Sequence, residues 1–150
     1  MNNMEIISPV HSFDVTLKWD KETRTGIAHA GNRMPVFFGS PPEFGGEDTA
    51  WSPEHLLALS IASCYTTTFC HFAKLLKVDV SHFSISCTVE LEKRKTGFEA
   101  TRYILSPVAE MSLNPGEGLL DNLFSKAKKY CFISNSVKGE IIVEPEIHFQ

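Results

Sequence analysis

The sequence has no concentrated charge of either sign, no internal repeat and no low-complexity segment. Fourteen lysines and arginines against eighteen aspartates and glutamates give a formal charge of −4 at pH 7, without any basic block. The chain therefore lacks the electrostatic footprint of a nucleic-acid or anionic-membrane binder. Its nine glycines and eight prolines are dispersed, which excludes collagen-like and disordered classes. A small substrate or a protein partner is left.

Long apolar runs and secretory signals are also lacking. Residues 1–10 contain neither a basic n-region nor an apolar h-region, and no uninterrupted apolar run approaches the roughly 18 residues that span a bilayer. We therefore predict a cytoplasmic protein without a membrane partner. The 150 residues, 43% of them hydrophobic, suffice for one domain with a real core, and no linker interrupts them. A single domain over residues 1–150 is expected.

Cysteine is sparse, with Cys64, Cys70, Cys87 and Cys131 and no CxxC pair. Four such residues are too few for a disulfide scaffold, and no set of residues has zinc-ligand spacing, so no metal is expected. Cys87 on an alternating strand and Cys70 in an apolar helix are predicted to be plain core residues. Cys64 and Cys131 each lie on an apolar helical stripe, but spacing alone leaves open whether the two stripes face each other.

The first half of the chain predicts strands followed by a long helix. Residues 13–20 alternate apolar and polar side chains, which indicates a half-buried strand, and residues 26–30 and 34–38 predict two shorter ones. Ser52-Pro53-Glu54 is typical of a helix start, and the helix is expected to run to about Leu76. Because this helix is apolar almost all round, with polar interruptions, we expect it to be enclosed by protein rather than to span a membrane.

The second half predicts a hairpin, a second helix and a final strand. Residues 83–91 alternate cleanly and are followed by a loop and a strand over 98–106, and a helix begins near Asn114-Pro115. Residues 140–149 predict the last strand. This order indicates an α+β fold with two long helices on antiparallel sheets, the first helix buried centrally.

Two segments centred on cysteines carry a family resemblance. Ser-Pro-Glu-His-Leu-Leu-Ala followed by Ala-Ser-Cys-Tyr, over residues 52–65, and Tyr-Cys-Phe-Ile-Ser-Asn-Ser, over residues 130–136, resemble the two signature segments of the OsmC/Ohr family. This family comprises the osmotically inducible and organic hydroperoxide resistance proteins. The Pro-Glu-Phe-Gly-Gly loop at 42–46 and the interval of ten residues from Glu54 to Cys64 match as well.

The resemblance implies a role for each of four residues. Cys64 would be the peroxidatic cysteine, Cys131 the resolving cysteine and Glu54 the family's acidic residue. The family's catalytic arginine lies in an Arg-x-Gly turn, which matches Arg24-Thr25-Gly26 here, with Arg33 as the second choice. One branch of the family has proline after the second cysteine, where this chain has phenylalanine.

The implied function is a thiol-dependent peroxidase that reduces organic hydroperoxides through a Cys64 sulfenic acid and a Cys64–Cys131 disulfide. It needs no resident cofactor, only an external dithiol reductant, for which a lipoylated protein is one candidate. Aromatic side chains would accept an apolar peroxide tail. Those considered are Phe38, Phe44, Tyr65, Phe69 and Tyr130.

The resemblance also implies an intertwined homodimer with both active sites at the interface. Helix geometry agrees, because ten helical residues separate Glu54 from Cys64 by about 15 Å and rotate them by roughly 80°. One straight helix cannot bring that carboxylate to its own thiol. If both groups serve one site, a second chain must supply one of them.

Three other interpretations stay open at this point. A binding protein of the same fold could hold a small apolar ligand in the interface pocket. A thioesterase-like enzyme would also wrap a long helix in antiparallel sheet, but it assigns the two cysteines no joint role, and the sequence has no phosphate-binding glycine loop. A purely structural disulfide would be unusual in a reducing cytoplasm.

Overall fold

A computed structural model of the chain describes residues 9–150. Residues 1–8 lie outside the described residues. The prediction that residues 1–10 contain no secretory leader falls mostly on this segment. The chain forms two compact units, one ending at Pro53 and the other beginning at Glu54. The single domain expected over residues 1–150 stays a prediction.

The first unit contains a three-stranded antiparallel sheet. Its strands are β1 (Thr16–Asp20), β2 (Thr25–His29) and β3 (Val36–Gly39), in the spatial order β1-β2-β3. All three were predicted, with ends that differ by a few residues. A short 3-10 turn over Pro42–Phe44 follows them.

The apolar face predicted for residues 13–20 exists, but it is not buried within the chain. Phe13, Val15, Leu17 and Trp19 have between 50% and 90% of their surface exposed. The expectation of a half-buried strand is therefore wrong for this chain taken alone. A contiguous set of exposed large apolar groups is the kind of surface that proteins usually cover with a partner or a ligand.

The second unit consists of two helices and four strands. In chain order these are α1 (Pro53–Leu75, whose first residue closes the first unit), β4 (His82–Arg94), β5 (Gly97–Met111), α2 (Glu117–Tyr130), β6 (Glu140–Val143) and β7 (Glu146–Phe149). Strands β4 and β5 pair antiparallel, whereas β6 and β7 both run parallel to β5. The α+β class is confirmed, but the second sheet is mixed rather than purely antiparallel.

Two prolines explain why the predicted final strand is divided. Pro145 stands between β6 and β7, and Pro107 stands in β5 between the stretch that pairs with β6 and the stretch that pairs with β7. Proline lacks an N–H and cannot donate to a ladder, so it is confined to such interruptions. The chain still rejoins β5 through Glu144, whose N–H donates to the Leu105 carbonyl at 2.8 Å.

Helix α1 begins and ends close to the predicted residues, for local reasons. Pro53 occupies the first helical position, and Glu54 lies in the first turn, where a carboxylate favours the helix dipole. The helix stops before Lys77, which takes the left-handed conformation at φ 56°. The Val78 N–H then turns back to the Ala73 carbonyl at 2.9 Å and closes the C-terminus.

Hydroxyl side chains account for the polar residues that interrupt α1. Ser63, Thr66, Thr67 and Thr68 each donate a hydrogen bond to a backbone carbonyl three or four residues earlier. By length and composition α1 could cross a membrane, but core helices of soluble proteins pass the same test. Its side chains Ile61, Cys64, Tyr65, Phe69 and Ala73 are buried in the core.

The core of the second unit is built on α1, α2 and the inner face of β5. The Phe69 ring stacks on Phe83 of β4 at 4.4 Å between centroids and meets Phe124 of α2 at 5.1 Å. Cys87 is half-buried and packs against this core, broadly as predicted. Cys70 is exposed, so its assignment to the core is wrong. It lies on a side of α1 that the chain's own core does not cover.

Candidate active site

Cys64 and Cys131 are neighbours in the second unit. Cys64 lies in the middle of α1, and Cys131 stands immediately after the last residue of α2. Both are buried, and both are free thiols. Cys64 raises the pKa of Cys131 through side-chain hydrogen bonding and through charge, which requires the two groups to be close. The apolar stripes of the two helices therefore face each other, which the spacing of the residues in the sequence could not decide.

The Cys131 sulfur has no access to solvent but does have hydrogen-bond donors. Burial is the largest influence on its pKa and raises it, because a thiolate is disfavoured away from water. The Ser134 hydroxyl donates to Cys131 Sγ at 3.0 Å, and the Ser134 backbone also contributes a hydrogen bond; both lower the pKa. The net direction is upward. The thiol therefore stays protonated, but the hydrogen bonds from Ser134 reduce the free-energy cost of ionising it.

The Cys64 carbonyl accepts hydrogen bonds from two neighbouring side chains. The hydroxyls of Thr67 and Thr68 both donate to its carbonyl, at 3.0 and 2.8 Å. These bonds add to the helix ladder at the turn that follows the thiol. The backbone of Cys64 is thus part of a regular helix whose next turn also carries two side-chain hydrogen bonds.

Tyr65 connects the two helices beside the thiols. Its side chain is fully buried, and its hydroxyl points to the Phe124 carbonyl of α2, at a long distance of 3.5 Å. The pKa of the phenol is raised, first by burial and then by the charge of Cys131. Tyr65 therefore stays neutral and belongs to the wall of the thiol site rather than to its acid–base chemistry.

Arg24 closes the turn between β1 and β2 in a strained conformation. The Asp20 carboxylate accepts hydrogen bonds from the N–H groups of Glu22 and Thr23, which shapes the turn, and Arg24 then adopts φ 56°. That region favours glycine and costs other residues about 1–2 kcal/mol. The exposed guanidinium donates to the Gly45 carbonyl at 3.2 Å. Its other N–H groups leave donors for an anion.

The glycine of the Arg24-Thr25-Gly26 segment is required by close packing. Gly26 is paired with Trp19 on one side and with Phe38 on the other. A Cβ at this position would lie 2.5 Å from the Phe38 ring. The match to the family's Arg-x-Gly turn is therefore physically sensible, since only glycine lets the ring lie across the strand.

Arg33, the second choice, occupies a different environment. It lies in the turn between β2 and β3, has an ordinary backbone conformation and donates to the Ala30 carbonyl of its own turn at 3.3 Å. Nothing in that turn is strained for its sake. The geometry favours Arg24 as the candidate, and the choice between the two arginines stays a prediction.

Glu54 has one oxygen that lacks a partner. Its Oε2 atom is buried and accepts no hydrogen bond from any described residue. A buried carboxylate oxygen without a donor is costly, so it normally has a cation or an N–H group nearby in the working protein. The Arg24–Glu54 ion pair stays a prediction.

The five aromatic residues predicted to line a substrate pocket occupy different environments. Tyr65 and Phe69 are fully buried in the core, so neither offers surface to a substrate in this structure. Phe44 and Tyr130 are substantially exposed, and Phe38 is partly covered by Trp19. Lys126 and Lys129 lie over the Tyr130 ring. Among residues 9–150, no three His, Cys, Asp or Glu side chains form a metal-binding cluster.

Comparison with known protein families identifies the chain. The model of the family described as OsmC-like protein matches residues 45–146, a span that includes Glu54, Cys64 and Cys131. The chain belongs to the OsmC-like protein family. Comparison with curated proteins finds no similar sequence.

Solved structures of the OsmC-like family share the fold of this chain. An OsmC-like protein of unknown function from Vibrio cholerae has a TM-score of 0.82 at 19% identity, covering 91% of this chain and 99% of its own. An organic hydroperoxide resistance protein from Elizabethkingia anophelis has a TM-score of 0.75 at 19% identity, with 96% and 100% covered. Another from Legionella pneumophila has a TM-score of 0.70 at 22% identity, with 94% and 99% covered.

The site contains one contributor that sequence reasoning did not single out. Ser134 lies three residues after Cys131 in the second signature segment, and it was quoted only as part of that motif. The helical pattern ends at Cys131, so nothing in the apolar periodicity shows that the chain turns back and directs Ser134 at the sulfur.

Proposed function

We propose that this OsmC-like protein reduces organic hydroperoxides to alcohols with its two buried thiols. The observation that carries the proposal is the contact between Cys64 and Cys131, two free cysteines that different helices bring together in the core. The organic hydroperoxide resistance proteins that share the fold support the same chemistry.

The proposed reaction has two steps on the enzyme. The Cys64 thiolate attacks the distal oxygen of the peroxide, the O–O bond breaks, and the alkoxide leaves as alcohol after taking a proton. Cys64 becomes a sulfenic acid. Cys131, as thiolate, attacks the Cys64 sulfur, the S–O bond breaks, and hydroxide leaves as water.

The cycle closes with a reductant from outside the chain. An external dithiol donates two electrons by thiol–disulfide exchange and becomes a disulfide, which restores both cysteines. A lipoylated protein is the candidate we favour, and the reaction is proposed to take place in the cytoplasm without a resident cofactor. Until the external dithiol reduces it, the Cys64–Cys131 disulfide protects Cys64 from irreversible oxidation.

The order of reaction rests on the family resemblance, in which the cysteine of the first signature segment is peroxidatic and the cysteine of the second is resolving. The environment of Cys131 agrees, because burial first, and then the neighbouring Cys64, raise the pKa of its thiol. We therefore assign the peroxidatic role to Cys64 and the resolving role to Cys131.

Arg24 and Glu54 are proposed to complete the site. The thiolate and the peroxide oxygens need a fixed positive charge, and a guanidinium orients well against a carboxylate in a bidentate pair. Two observations support these residues. Arg24 keeps a conformation that would suit glycine better, and Glu54 has a buried oxygen without a donor. Backbone strain clusters at functional sites, although a helix end can also require it, as at Lys77.

A homodimer is part of the proposal. The exposed apolar face of β1 and exposed Leu59 and Leu75 on α1 would be covered by a second copy of the chain. The separation of about 15 Å along α1 between Glu54 and Cys64 supports sites that combine groups from two subunits. Mixing Glu54→Gln and Cys64→Ser subunits should then restore activity that neither variant has alone.

The decisive experiment follows thiols rather than activity. Reduced protein receives one equivalent of cumene hydroperoxide, and free thiols are counted and mapped by mass spectrometry. We expect rapid loss of two thiols as a Cys64–Cys131 disulfide, no loss in Cys64→Ser, and over-oxidised Cys64 in Cys131→Ser. Cys70→Ser is the matched control, because this exposed cysteine of the same helix should change nothing. Survival of all four thiols would overturn the proposal.

A second candidate function is suggested by an open groove in the first unit, whose apolar lining residues are exposed. A space of about 510 Å³ is lined by Trp19, Ile27 and Phe37 together with Lys18 and other polar groups. Its size suits a small apolar ligand. If peroxide leaves the thiols untouched, binding of such a ligand becomes the leading account, and quenching of Trp19 fluorescence would measure it.

A further inference from the structure

The Cys131 sulfur accepts two hydrogen bonds from one residue, Ser134. Ser134 is itself buried, at 6% exposure, and its Oγ lies 3.0 Å from Cys131 Sγ. The Ser134 backbone contributes a second hydrogen bond to the same sulfur. Ser134 begins the short turn Ser134–Ser136, and the Asn135 N–H returns to the Cys131 carbonyl at 3.1 Å. The turn thus wraps around the end of α2 and directs both donors at the thiol.

Such donors favour the charged form of the sulfur. The Cys131 thiol is fully buried, and burial opposes ionisation, as does the neighbouring Cys64. Hydrogen bonds that are accepted by a thiolate offset part of that penalty. Without Ser134, the sulfur would have to ionise against both effects unaided.

We propose that Ser134 is a positioning residue that prepares Cys131 to act both as nucleophile and as leaving group. In disulfide formation, Cys131 loses its proton and attacks the sulfenic sulfur of Cys64, and hydroxide departs. In reduction, an external thiolate attacks Cys64, the S–S bond breaks, and Cys131 departs as thiolate beside the Ser134 hydroxyl. This inference rests on the proposed peroxidase function and assigns a residue to its second half.

Access gives the reduction step a direction. The Cys131 residue has no exposed surface, whereas Cys64 keeps 7% of its surface exposed. The external dithiol is therefore expected to attack Cys64 and to form its mixed disulfide there. The Ser134 hydroxyl then stabilises the departing Cys131 thiolate.

Loss of the hydroxyl should have a modest effect with a distinctive pH dependence. If Ser134→Ala raises the pKa of Cys131 by about one unit, the thiolate fraction at neutral pH falls about tenfold. A more basic thiolate is also a better nucleophile, so the rate constant of each thiolate rises about threefold. Together the two effects should slow disulfide formation about threefold. The deficit should shrink as pH rises toward the pKa of Cys131.

The kinetic test measures disulfide formation from pre-formed Cys64 sulfenic acid at several pH values. Ser134→Ala should be about threefold slower at neutral pH, with the deficit lost in alkali, while sulfenic acid formation is unchanged. Ser134→Thr should restore the wild-type profile. The control is Ser136→Ala, an exposed serine of the same turn that donates to the Phe132 carbonyl. A wild-type profile in Ser134→Ala, or a loss that is constant at every pH, would overturn the inference.

A second measurement separates this inference from the peroxidase function. In the Cys64→Ser background, the pKa of Cys131 is followed by the carbon chemical shift of its labelled Cβ, with and without Ser134→Ala. The inference requires a higher pKa in the Ser134→Ala protein, and an unchanged pKa overturns it. This titration needs no peroxide. If wild-type protein failed to form the disulfide, the proposed function would fall while the Ser134 hydrogen bond was still tested.

Discussion

The thiol pair and the Arg24 turn differ in what holds their geometry. Cys64 and Cys131 are positioned by two helices whose side chains fill a common core, so the site is buried. Arg24 is exposed and is held by a four-residue turn, with a strained backbone and one hydrogen bond to Gly45. Packing thus positions the groups that are proposed to change covalently, and local backbone geometry positions the charge proposed to assist them.

This difference predicts that the two regions fail in different ways when they are mutated. A change at the thiol pair should remove chemistry or unfold the second unit. A change in the turn should reduce activity while leaving stability unchanged or improved. Four predictions follow this contrast, beginning with the largest effect.

Cys64→Ser should abolish peroxide reduction, because a hydroxyl cannot form the sulfenic acid on which the cycle depends. Turnover of cumene hydroperoxide with a dithiol reductant measures this directly. Cys70→Ser should retain wild-type turnover, since Cys70 is exposed on the same helix. Comparable losses in both variants would mean that cysteine replacement disturbs α1 in general.

Phe69→Ala should destabilise the protein by about 3–5 kcal/mol, as expected for an aromatic side chain removed from a closed core. Its ring joins α1 to β4 and α2 through Phe83 and Phe124. Urea unfolding measures the change. Phe132→Ala, which truncates an exposed ring next to Cys131, should stay within about 0.5 kcal/mol. A small effect at Phe69 would contradict the view that helix packing holds the thiols.

Arg24→Gly and Arg24→Ala should both lose activity, by about 10²–10³-fold if the guanidinium stabilises the reacting charges. They should differ in stability. Glycine accepts φ 56° without penalty, so Arg24→Gly should be about 1 kcal/mol more stable than Arg24→Ala. Paired kinetics and thermal unfolding test both statements. Equal activity in Arg24→Ala and wild type would move the catalytic assignment to Arg33, for which Arg33→Ala is the matched variant.

Stability of the reduced protein should decline in alkali. The pKa values of Cys131, Cys87, Tyr65 and Tyr103 are all raised in the folded protein, with burial as the largest cause in each case. A raised folded-state pKa stabilises the fold below the unfolded-state pKa, and that stability is lost as pH rises through the folded-state pKa. The urea midpoint should therefore be lower at about pH 10 than at about pH 7. The decrease should occur in the pH range where thiols and phenols ordinarily ionise.

A Cys87→Ala variant refines this last prediction. Cys87 is half-buried outside the thiol site, and its neighbour Tyr103 has a pKa that Cys87 also raises. Removing the Cys87 thiol should therefore reduce the alkaline loss of stability slightly without affecting peroxide turnover. An unchanged alkaline loss in Cys87→Ala would place the whole effect on Cys131 and the two tyrosines.

Much of the fold could be predicted because its signals are local. The start of α1 is encoded by Pro53 and Glu54, and β4 by clean alternation over residues 83–91. The division of the last strand was missed, because Pro145 acts only together with Pro107 across the sheet. The direction of β6 and β7 was missed for a related reason, since parallel and antiparallel partners show the same alternation within a strand.

For the site, the sequence by itself determined which residue types are available and where on each helix they lie. It placed Cys64 and Cys131 on apolar stripes, and the family resemblance assigned their roles. Only the tertiary structure decided that the two stripes meet, that Cys70 is exposed and that Ser134 reaches the Cys131 sulfur. These facts depend on how distant segments pack together, and hydrophobic periodicity specifies which face of an element is buried but not what covers it.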